Sequence, residues 1–374
     1  MKILYVQYAN PGAYPAAMRA ARLWRGMGHE VRFLGLDLGG ADDLAVPADL
    51  ADACDWVRHG RLARLAFPAR LVRIIAAWRP DWLYVADAMT VIAAGPALRL
   101  HRGGIVYHEH DSPQSGVSAQ MDRQVTARNA LARRAEAVVL PNSGRAAQLV
   151  DEAGGAVAPI IAWNTPARRE VGTARTGAPA GPLRIVYAGS INADRVPMTL
   201  IEALAAVPEA ELTLIGYETV SSRGYIAALR DAATAAGGAE RLIVRPAMPH
   251  DALVAALGDY DATFAALPVQ SGNINHRHMV GASNKSFDAM GQGLALIVGP
   301  GADWHATFVE PGYALACDPA DAASIAAAFR HLATDRAATR AMGEAARQRI
   351  AGEWAYDELF APVIARMTTN EEKA

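Results

Sequence analysis

Short apolar runs alternate with stretches of helical periodicity along most of the chain. In the first half the predicted strands are Lys2–Val6, Glu30–Gly35, Trp82–Ala86, Gly104–Glu109, Ala137–Leu140 and Ala158–Trp163. In the second half they are Leu183–Ala188, Glu211–Ile215, Arg241–Val244, Ala262–Ala266, Leu294–Val298 and Tyr313–Ala316. Strands that alternate with amphipathic helices form parallel sheets covered on both faces. The pattern therefore predicts an α/β protein with parallel sheets.

A Gly- and Pro-rich stretch separates the two halves. Residues Val171–Pro182 read VGTARTGAPAGP, a composition typical of a linker. At 374 residues the chain also exceeds the size that one hydrophobic core usually supports. We therefore expect two Rossmann-like domains that face each other and are joined by this linker.

Composition narrows the class of protein. With 52% hydrophobic and 20% charged residues, the chain has the composition of a soluble globular protein rather than a disordered one. A net charge of -2 argues against a nucleic-acid partner. Cys54 and Cys317 have no metal-ligand spacing, which fits a reduced compartment. Without a signal-like N-terminus or a membrane-length apolar run, we expect a cytoplasmic protein.

The start of one predicted helix carries candidate anion-binding residues. Ligands of open parallel sheets bind where loops and helix starts meet the carboxyl ends of strands. In ASNKSFDAMGQG, Ser283 or Asn284 can cap a helix, which places Lys285 in its first turn. A lysine is favourable there when a diphosphate occupies the site, because the helix start already attracts anions. Asp288 follows one turn later and can accept hydrogen bonds from ribose, although both side chains fit a plain solvated helix too.

A glycine-containing loop provides a second candidate cation. YAGSINADRVP follows the first strand of the second half, and Gly189 with Ser190 allows the backbone to approach a phosphate closely. Arg195 in this loop can bind a phosphate through two nitrogens. An exposed loop arginine without a ligand is the alternative interpretation.

Two histidines follow a strand of the first half. In IVYHEHDS, His110 lies past the apolar run, so it is the candidate catalytic residue. His108 alternates with it and should point the same way, whereas Glu109 should point to the other side. The His-x-His pattern also suggests zinc, but no third ligand has convincing spacing. A purely structural histidine remains an alternative.

Three further features carry weaker signals. Gly12 lies in a turn that lacks the G-x-G-x-x-G dinucleotide fingerprint but allows a donor or acceptor to approach the backbone. The sequence from Asp259 to Asp261 resembles a metal-binding D-x-D, yet it precedes a buried strand and is interpreted as a turn. The basic segment Arg58–Arg79 either contacts an anionic membrane surface or forms a helix with solvated arginines.

Taken together, these segments resemble glycosyltransferase family 4, a group of retaining enzymes with the GT-B fold. The resemblance is carried, in order, by MKILYV…GHEVRFLGL, RPDWLYVAD, AEAVVLPNS, RIVYAGSI, SNKSFDAMGQGLALIV and VEPGYALACDPADAASIAAAFRHL followed by MGEAARQR. It covers nearly the whole chain and implies two Rossmann-like domains facing across a central cleft. Because the last GT-B helix returns to the first domain, the implied domains are 1–167 with 354–374, and 183–353. Residues 168–182 form the linker.

The resemblance also implies roles for individual residues. The donor diphosphate is expected to bind Gly189, Ser190, Arg195, Ser283, Asn284 and Lys285. Asp288 corresponds to the acid that contacts ribose, and His110 to the histidine beside the transferred sugar. In that family, cations and helix dipoles neutralise the leaving diphosphate, so neither a metal nor a cofactor is expected.

The chain departs from the family pattern at three positions. Val280 replaces the first glutamate of the paired motif, Asp288 replaces the second, and Ser190 stands where an arginine is frequent. Asn273, Asn275 and His276, in the loop before this helix, are candidate substitutes for the lost contact. The candidate contacts to the sugar or the acceptor are Gly12, Asp111, Asn273 and Asn275.

The predicted function is metal-independent, retaining transfer of a hexose-like sugar from a UDP or GDP sugar. The acceptor is an unidentified glycan, lipid-linked or small molecule. The alternatives are a sugar-nucleotide epimerase of GT-B type and a non-catalytic sugar-nucleotide-binding partner protein.

Overall fold

The structure, a computed structural model, describes residues 1–38, 46–155, 157–175, 180–267 and 272–369. These residues form two compact units. Unit 1 comprises the described residues of Met1–Asn164, Gly272–Ala282 and Tyr356–Ala374, and unit 2 those of Thr165–Ser271 and Ser283–Ala355. Each unit has one parallel sheet with flanking helices, which confirms the predicted α/β class.

Unit 1 contains a seven-stranded parallel sheet in the order β3-β2-β1-β4-β5-β6-β7. Its strands are β1 (Lys2–Gln7), β2 (Glu30–Asp37), β3 (Cys54–Arg58), β4 (Trp82–Ala86), β5 (Gly104–His108), β6 (Ala137–Leu140) and β7 (Ile160–Ile161). Its helices, numbered along the whole chain, are α1 (Pro15–Gly26), α2 (Ala63–Trp78), α3 (Ala88–Ala94), α4 (Ala119–Ala132), α5 (Ser143–Glu152), α9 (Ile274–Arg277) and α14 (Tyr356–Thr368).

Unit 2 contains a six-stranded parallel sheet in the order β10-β9-β8-β11-β12-β13. Its strands are β8 (Leu183–Ile191), β9 (Ala210–Glu218), β10 (Leu242–Pro246), β11 (Ala262–Ala265), β12 (Ala295–Val298) and β13 (Ala314–Ala316). Its helices are α6 (Met198–Ala205), α7 (Tyr225–Ala235), α8 (His250–Leu257), α10 (Asn284–Gly291), α11 (Ala302–Trp304), α12 (Ala322–Thr334) and α13 (Arg336–Ala351).

The apolar strands form the cores of both units. The central strands β1, β4 and β5 of unit 1 are almost completely buried, as are β11 and β12 of unit 2. Such continuous apolar strands are typical of parallel sheets that helices cover on both faces. Within the described ranges, none of the helices is both long enough and apolar enough to cross a membrane.

The segment Gly272–Ala282 belongs to unit 1, although the predicted boundaries placed it in the second domain. The amide nitrogen of Asn142 donates to the carbonyl oxygens of His278 and Val280, at 2.9 Å each. Asn142 is the N-cap of α5, so the start of a unit 1 helix holds the segment. The contact joins residues that are 136 and 138 positions apart, beyond the reach of local sequence patterns.

The last helix and the predicted linker each pack within one unit. The hydroxyl of Tyr356 in α14 donates to the carbonyl oxygen of Ala16, at 3.2 Å, so this helix packs in unit 1. In the predicted linker, the Gly172 amide donates to the carbonyl oxygen of Gly291, at 2.9 Å. That end of the linker is therefore fixed to unit 2, and residues 176–179 of the linker lie outside the described residues, as do 370–374 of the predicted first domain.

Candidate functional site

In unit 2, Lys285 of α10 packs against the end of β8. Its Nζ lies 3.1 Å from the Tyr187 hydroxyl oxygen and 4.8 Å from the centre of that ring. The Tyr187 hydroxyl in turn donates to the carbonyl oxygen of Ser190, at 2.6 Å. Strand β8 extends to Ile191, so Gly189 and Ser190 are strand residues and the predicted loop begins after them.

Gly189 makes this close approach sterically possible. Its φ is +132°, in the region that favours glycine. A Cβ atom at this position would lie 2.6 Å from both Cε and Nζ of Lys285. Gly189 was predicted to let a phosphate approach the backbone. In the structure, the missing side chain makes room for the Lys285 side chain.

Arg195 completes a cluster of two cations around Tyr187. Burial and the positive charge of Arg195 lower the pKa of Lys285 to about 7. Burial raises the pKa of Tyr187 to about 12, an effect that the nearby Arg195 partly opposes. Both predicted cations therefore converge on one tyrosine. Among the described residues, no carboxylate forms an ion pair with either side chain, so a bound anion would relieve their repulsion.

The start of α10 adds to this positive region. Helix α10 begins at Asn284 and has no acidic residue in its first turn, where Lys285 lies as predicted. Ser283 occupies the N-cap position, but its hydroxyl accepts no capping hydrogen bond, contrary to one of the two predicted caps. Phe287 and Met290 are buried and fix the other face of the helix. The amide groups of the first turn are thus presented beside the two cations.

Asp288, the predicted ribose contact, is buried and has a histidine partner. Its Oδ2 lies 2.9 Å from Nε2 of His250, the first residue of α8. Sequence reasoning missed His250, because a histidine at the start of a short helix carries no signal of a partner 38 positions away. The ribose role of Asp288 remains a prediction, with His250 placed to orient its carboxylate.

In unit 1, His110 lies directly beyond the carboxyl end of β5. Its ring stacks on that of His108, with centroids 4.2 Å apart, and lies 5.0 Å from the ring of Tyr14. Glu109 instead contacts the hydroxyl of Tyr107 and the guanidinium of Arg128. The predicted alternation, with both histidines on one side and Glu109 on the other, is confirmed.

Asp87 organises the backbone around His110. Its Oδ1 accepts from the His110 amide at 2.7 Å and lies 3.4 Å from Nδ1 of the same residue. Its Oδ2 accepts from the side-chain amide of Gln7, at 3.1 Å. Although burial alone would raise the pKa of Asp87, its interactions with His110 and the Asp111 amide leave it lowered. Asp87 also has a φ of +67°, a strained conformation for a non-glycine residue.

Several buried polar atoms beside His110 lack hydrogen-bond partners within the described residues. They are both ring nitrogens of His110, Nε2 of His108 and Oε1 of Gln7. Burial and the neighbouring His110 hold the pKa of His108 well below its usual range, so His108 is neutral at physiological pH. Buried polar atoms are normally satisfied, so this group can accept or donate to polar groups of a ligand.

The remaining unit 1 candidates have mainly structural contacts. The Asn275 side chain accepts from the Ser112 amide at 2.8 Å and donates to its carbonyl oxygen at 3.0 Å. The Asn273 side chain caps α9, at 2.8 Å from the Asn275 amide. The Asn275 bonds attach Gly272–Ala282 to Ser112, in the segment that follows β5. The sugar contact of Asn273 and Asn275 remains a prediction, and Val280 is buried.

The other two candidates also have backbone partners. The Gly12 amide donates to Oδ1 of Asn10, at 2.9 Å, within a short turn. Asp111 has an exposed side chain, and its amide lies 3.4 Å from Oδ1 of Asp87. Asp111 thus remains available for an acceptor.

The D-x-D sequence is part of an ion cluster at the amino end of β11. Asp261 is buried, with Oδ2 2.7 Å from Arg336 and Oδ1 3.2 Å from Arg340. Both carboxylate oxygens therefore have guanidinium partners, in agreement with the interpretation as a turn. In the described ranges, no group of three or more His, Cys, Asp or Glu side chains is arranged to hold a metal ion.

Comparison with known proteins gives two family matches. The model for Glycosyltransferase Family 4 matches residues 16–165, and a Glycosyl transferase-like model matches residues 196–365. The two matches together span most of the chain. A search of curated proteins found no match.

Solved structures match over the full length. HepE from Anabaena, solved in complex with UDP, is 18% identical with a TM-score of 0.71, over 100% of this chain and 99% of HepE. Sucrose-phosphate synthase from Thermosynechococcus elongatus is 13% identical with a TM-score of 0.71, over 100% of both chains. A glycosyltransferase from Rickettsia africae is 12% identical with a TM-score of 0.72, over 100% of this chain and 99% of that one. At these low identities, the TM-scores show a common fold and no more. Together with the two family matches, this fold identifies the chain as a glycosyltransferase of the GT-B type that is family 4-like.

Proposed function

We propose that this glycosyltransferase transfers a hexose-like sugar from a UDP or GDP sugar, with retention and without a metal ion. The observation that carries the proposal is the convergence of Lys285 and Arg195 on Tyr187, with no carboxylate partner among the described residues. A diphosphate supplies the missing negative charge. The UDP bound to HepE supports a nucleoside diphosphate as the ligand. Retention rests on the resemblance to family 4.

The proposed chemistry explains why two cations are needed. Transfer breaks the bond between the sugar C1 and the donor diphosphate, which leaves with the electron pair. An acceptor hydroxyl oxygen forms the new bond to C1, and its proton passes to the departing oxygen of the diphosphate. Negative charge grows on the diphosphate as it leaves, and preorganised cations stabilise that growth. Lys285, Arg195 and the first amides of α10 supply this stabilisation within unit 2 without a metal.

In this proposal His110 contacts the transferred sugar. Asp87 lies beside Nδ1 of His110, which leaves Nε2 to accept a hydrogen bond from a sugar hydroxyl. Such a contact orients the sugar rather than holding the diphosphate. Loss of His110 should therefore reduce turnover more than nucleotide affinity.

We place the reaction in the cytoplasm, where nucleotide sugars are the donors. Contact with a membrane surface through Arg58–Arg79 is a separate proposal, because it depends on the surface of unit 1 and not on donor chemistry. The acceptor is a glycan, lipid-linked or small molecule.

A thermal-shift series with UDP, GDP, dTDP and NAD, each with EDTA, tests the donor class. A cognate nucleotide at 100 times its Kd should stabilise the protein by about 2.7 kcal/mol. We expect a response to UDP or GDP that persists in EDTA. A response to NAD alone, or to no nucleotide, would contradict the proposal.

Donor turnover then separates an enzyme from a non-catalytic sugar-nucleotide-binding protein. The wild-type protein should release free nucleotide from the cognate sugar donor by hydrolysis or transfer. His110→Ala should lower this rate roughly fivefold or more while nucleotide affinity changes little, since one positioned hydrogen bond contributes about 1 kcal/mol. Nucleotide binding without any donor turnover by the wild-type protein would favour the binding-protein alternative, and an unchanged rate in His110→Ala would remove the role of His110.

A further inference from the structure

Unit 1 carries a basic groove between β3, the edge strand of its sheet, and the start of α2. The groove has a volume of about 980 Å³, and Trp56, Arg58, Arg61, Leu62, Arg70 and Arg73 are among the residues that line it. It lies where β3 ends and the chain turns into α2, at the carboxyl edge of the same sheet that carries His110.

The groove has an excess of positive charge. No Asp or Glu occurs from Arg58 to Arg79, whereas six arginines do. Arg70 pairs with Asp55 at 2.6 Å. Among the described residues, Arg58, Arg61 and Arg73 form no ion pair with a carboxylate. Asp37 lies opposite Arg58 in the sheet and has a partner of its own. Within the part of the chain that the structure describes, the groove therefore retains several cations without a carboxylate partner.

Large apolar side chains are exposed among these cations. Leu62 is 73% exposed and Leu65 is 72% exposed, and Val72 and Trp56 are also exposed. The opposite face of α2 is already used in the core, where Phe67, Leu71 and Ile74 are buried. The exposed leucines are thus additional to the core-facing side of the helix. Clustered apolar side chains on a surface usually mark an interaction site.

A second, smaller cavity extends the same surface. It has a volume of about 380 Å³ and is lined by Arg64, Arg123 and the exposed Ile92, among others. Tyr8, which follows β1, and Met89, which follows β4, also line it, so it too lies at the carboxyl edge of the sheet. Cations and apolar side chains therefore continue from the basic groove along that edge.

We propose that the basic groove docks unit 1 onto an anionic lipid bilayer. The cations face the negative headgroups, and Leu62 and Leu65 enter the boundary between headgroups and acyl chains. A nucleic acid would contact the arginines but leave the exposed leucines in water. An acidic protein surface would neutralise the arginines, but it would not bury the leucines. The bilayer is the occupant that satisfies both kinds of side chain. This inference deepens the proposed function, since it implies an acceptor that is reached at a membrane surface.

Sedimentation with lipid vesicles tests the proposal on the full chain. The wild-type protein should sediment with vesicles of phosphatidylcholine containing 30% phosphatidylglycerol (about 100 mM NaCl) and not with pure phosphatidylcholine. Binding should fall strongly at about 1 M NaCl, because salt screens the attraction. The triple variant Arg58→Gln, Arg61→Gln, Arg73→Gln should bind roughly 100-fold more weakly, at about fivefold per arginine.

A second variant tests the apolar part. Leu62→Ser with Leu65→Ser should weaken vesicle binding at least tenfold while the cations remain in place. The charge-matched control is Arg102→Gln, Arg230→Gln, Arg330→Gln, which removes three exposed arginines elsewhere, and the apolar control is Val220→Ser, at an 83% exposed position. Both controls should bind vesicles like the wild type. Circular dichroism checks that each variant is folded.

Three results would overturn the proposal. They are no binding of the wild-type protein to anionic vesicles, equal binding to neutral vesicles, and equal loss in the control variants. If the groove variants instead convert a dimer to a monomer while vesicles are not bound, a second copy of the chain occupies the groove. UDP affinity measured without lipid is expected to be unchanged in both groove variants, so failure of the docking proposal is distinguishable from failure of the donor proposal.

Discussion

Among single residues, Lys285 matters most for donor binding, and three neighbouring features hold it in place. The lysine lies at the start of α10, its ammonium contacts Tyr187, and Gly189 leaves room for it. The sequence predicted Lys285 because a cation at a helix start is unusual without an anionic ligand. It did not predict Tyr187, since a tyrosine in an apolar strand is normally a core residue. The sequence did not predict Asp87 or His250 either. Each acts through a contact with a residue of another element, Asp87 with His110 and His250 with Asp288.

The pH dependence of UDP affinity should report on Lys285. Burial and Arg195 lower its pKa to about 7, so the free protein loses this positive charge as the pH rises above 7. A bound diphosphate favours the charged form and raises that pKa, so binding takes up a proton and weakens with increasing pH. We expect the Kd of UDP to rise up to tenfold per pH unit above 7, measured by calorimetry. Lys285→Gln should bind weakly at every pH, and a pH dependence that survives in this variant would show that another group is responsible.

Tyr187→Phe tests how Lys285 is positioned. The change keeps the ring beneath the ammonium but removes the hydroxyl that lies 3.1 Å from Nζ. Since one such hydrogen bond contributes about 1 kcal/mol, the Kd of UDP should rise roughly fivefold, with donor KM affected more than kcat. Tyr313→Phe, in the same unit, is the control and should behave like the wild type. Equal effects of the two changes would mean that the Tyr187 hydroxyl does not position Lys285.

At the element scale, most strands were predictable because buried parallel strands are continuous apolar runs. Strand β3 was missed, since Cys54–Arg58 is a half-exposed edge strand with charged residues among its apolar ones. The predicted basic segment therefore begins inside a strand, at Arg58, and its helix α2 starts only at Ala63. Strand β8 continues through Gly189 and Ser190, where small polar residues resemble a loop but pair with β9.

Asp261→Ala should affect stability and not donor binding. Asp261 is buried between Arg336 and Arg340, and removal of one partner from a buried ion cluster costs about 3 kcal/mol. We expect a lower melting temperature and an unchanged Kd for UDP, with or without EDTA, in the protein that remains folded. Asp303→Ala, at an exposed position on α11, is a control for loss of one acid from unit 2. A selective loss of metal-dependent donor binding in Asp261→Ala would instead show that the D-x-D sequence binds a metal ion.

At the scale of the whole molecule, strand–helix alternation was enough to predict two parallel sheets and the fold class. It could not predict that Gly272–Ala282, between β11 and α10 in sequence, belongs to unit 1. Side-chain hydrogen bonds from Asn142 and Arg145 to backbone carbonyls of this segment decide its place, and they join residues 130 to 136 positions apart. The net charge of -2 likewise did not predict the basic groove of unit 1, because a total charge does not show where the charges lie.

Calorimetric titration of UDP in EDTA shows whether Lys285 and Arg195 hold the donor diphosphate without a metal. The wild-type protein should bind UDP without a metal, whereas Arg195→Gln and Lys285→Gln should each weaken binding at least tenfold, since each removes a charged partner of the diphosphate. Arg330→Gln, which removes an exposed arginine from α12, should bind like the wild type. If UDP fails to bind in EDTA but binds once a divalent metal is added, or if both cation variants keep wild-type affinity, the two-cation account of the donor site is contradicted.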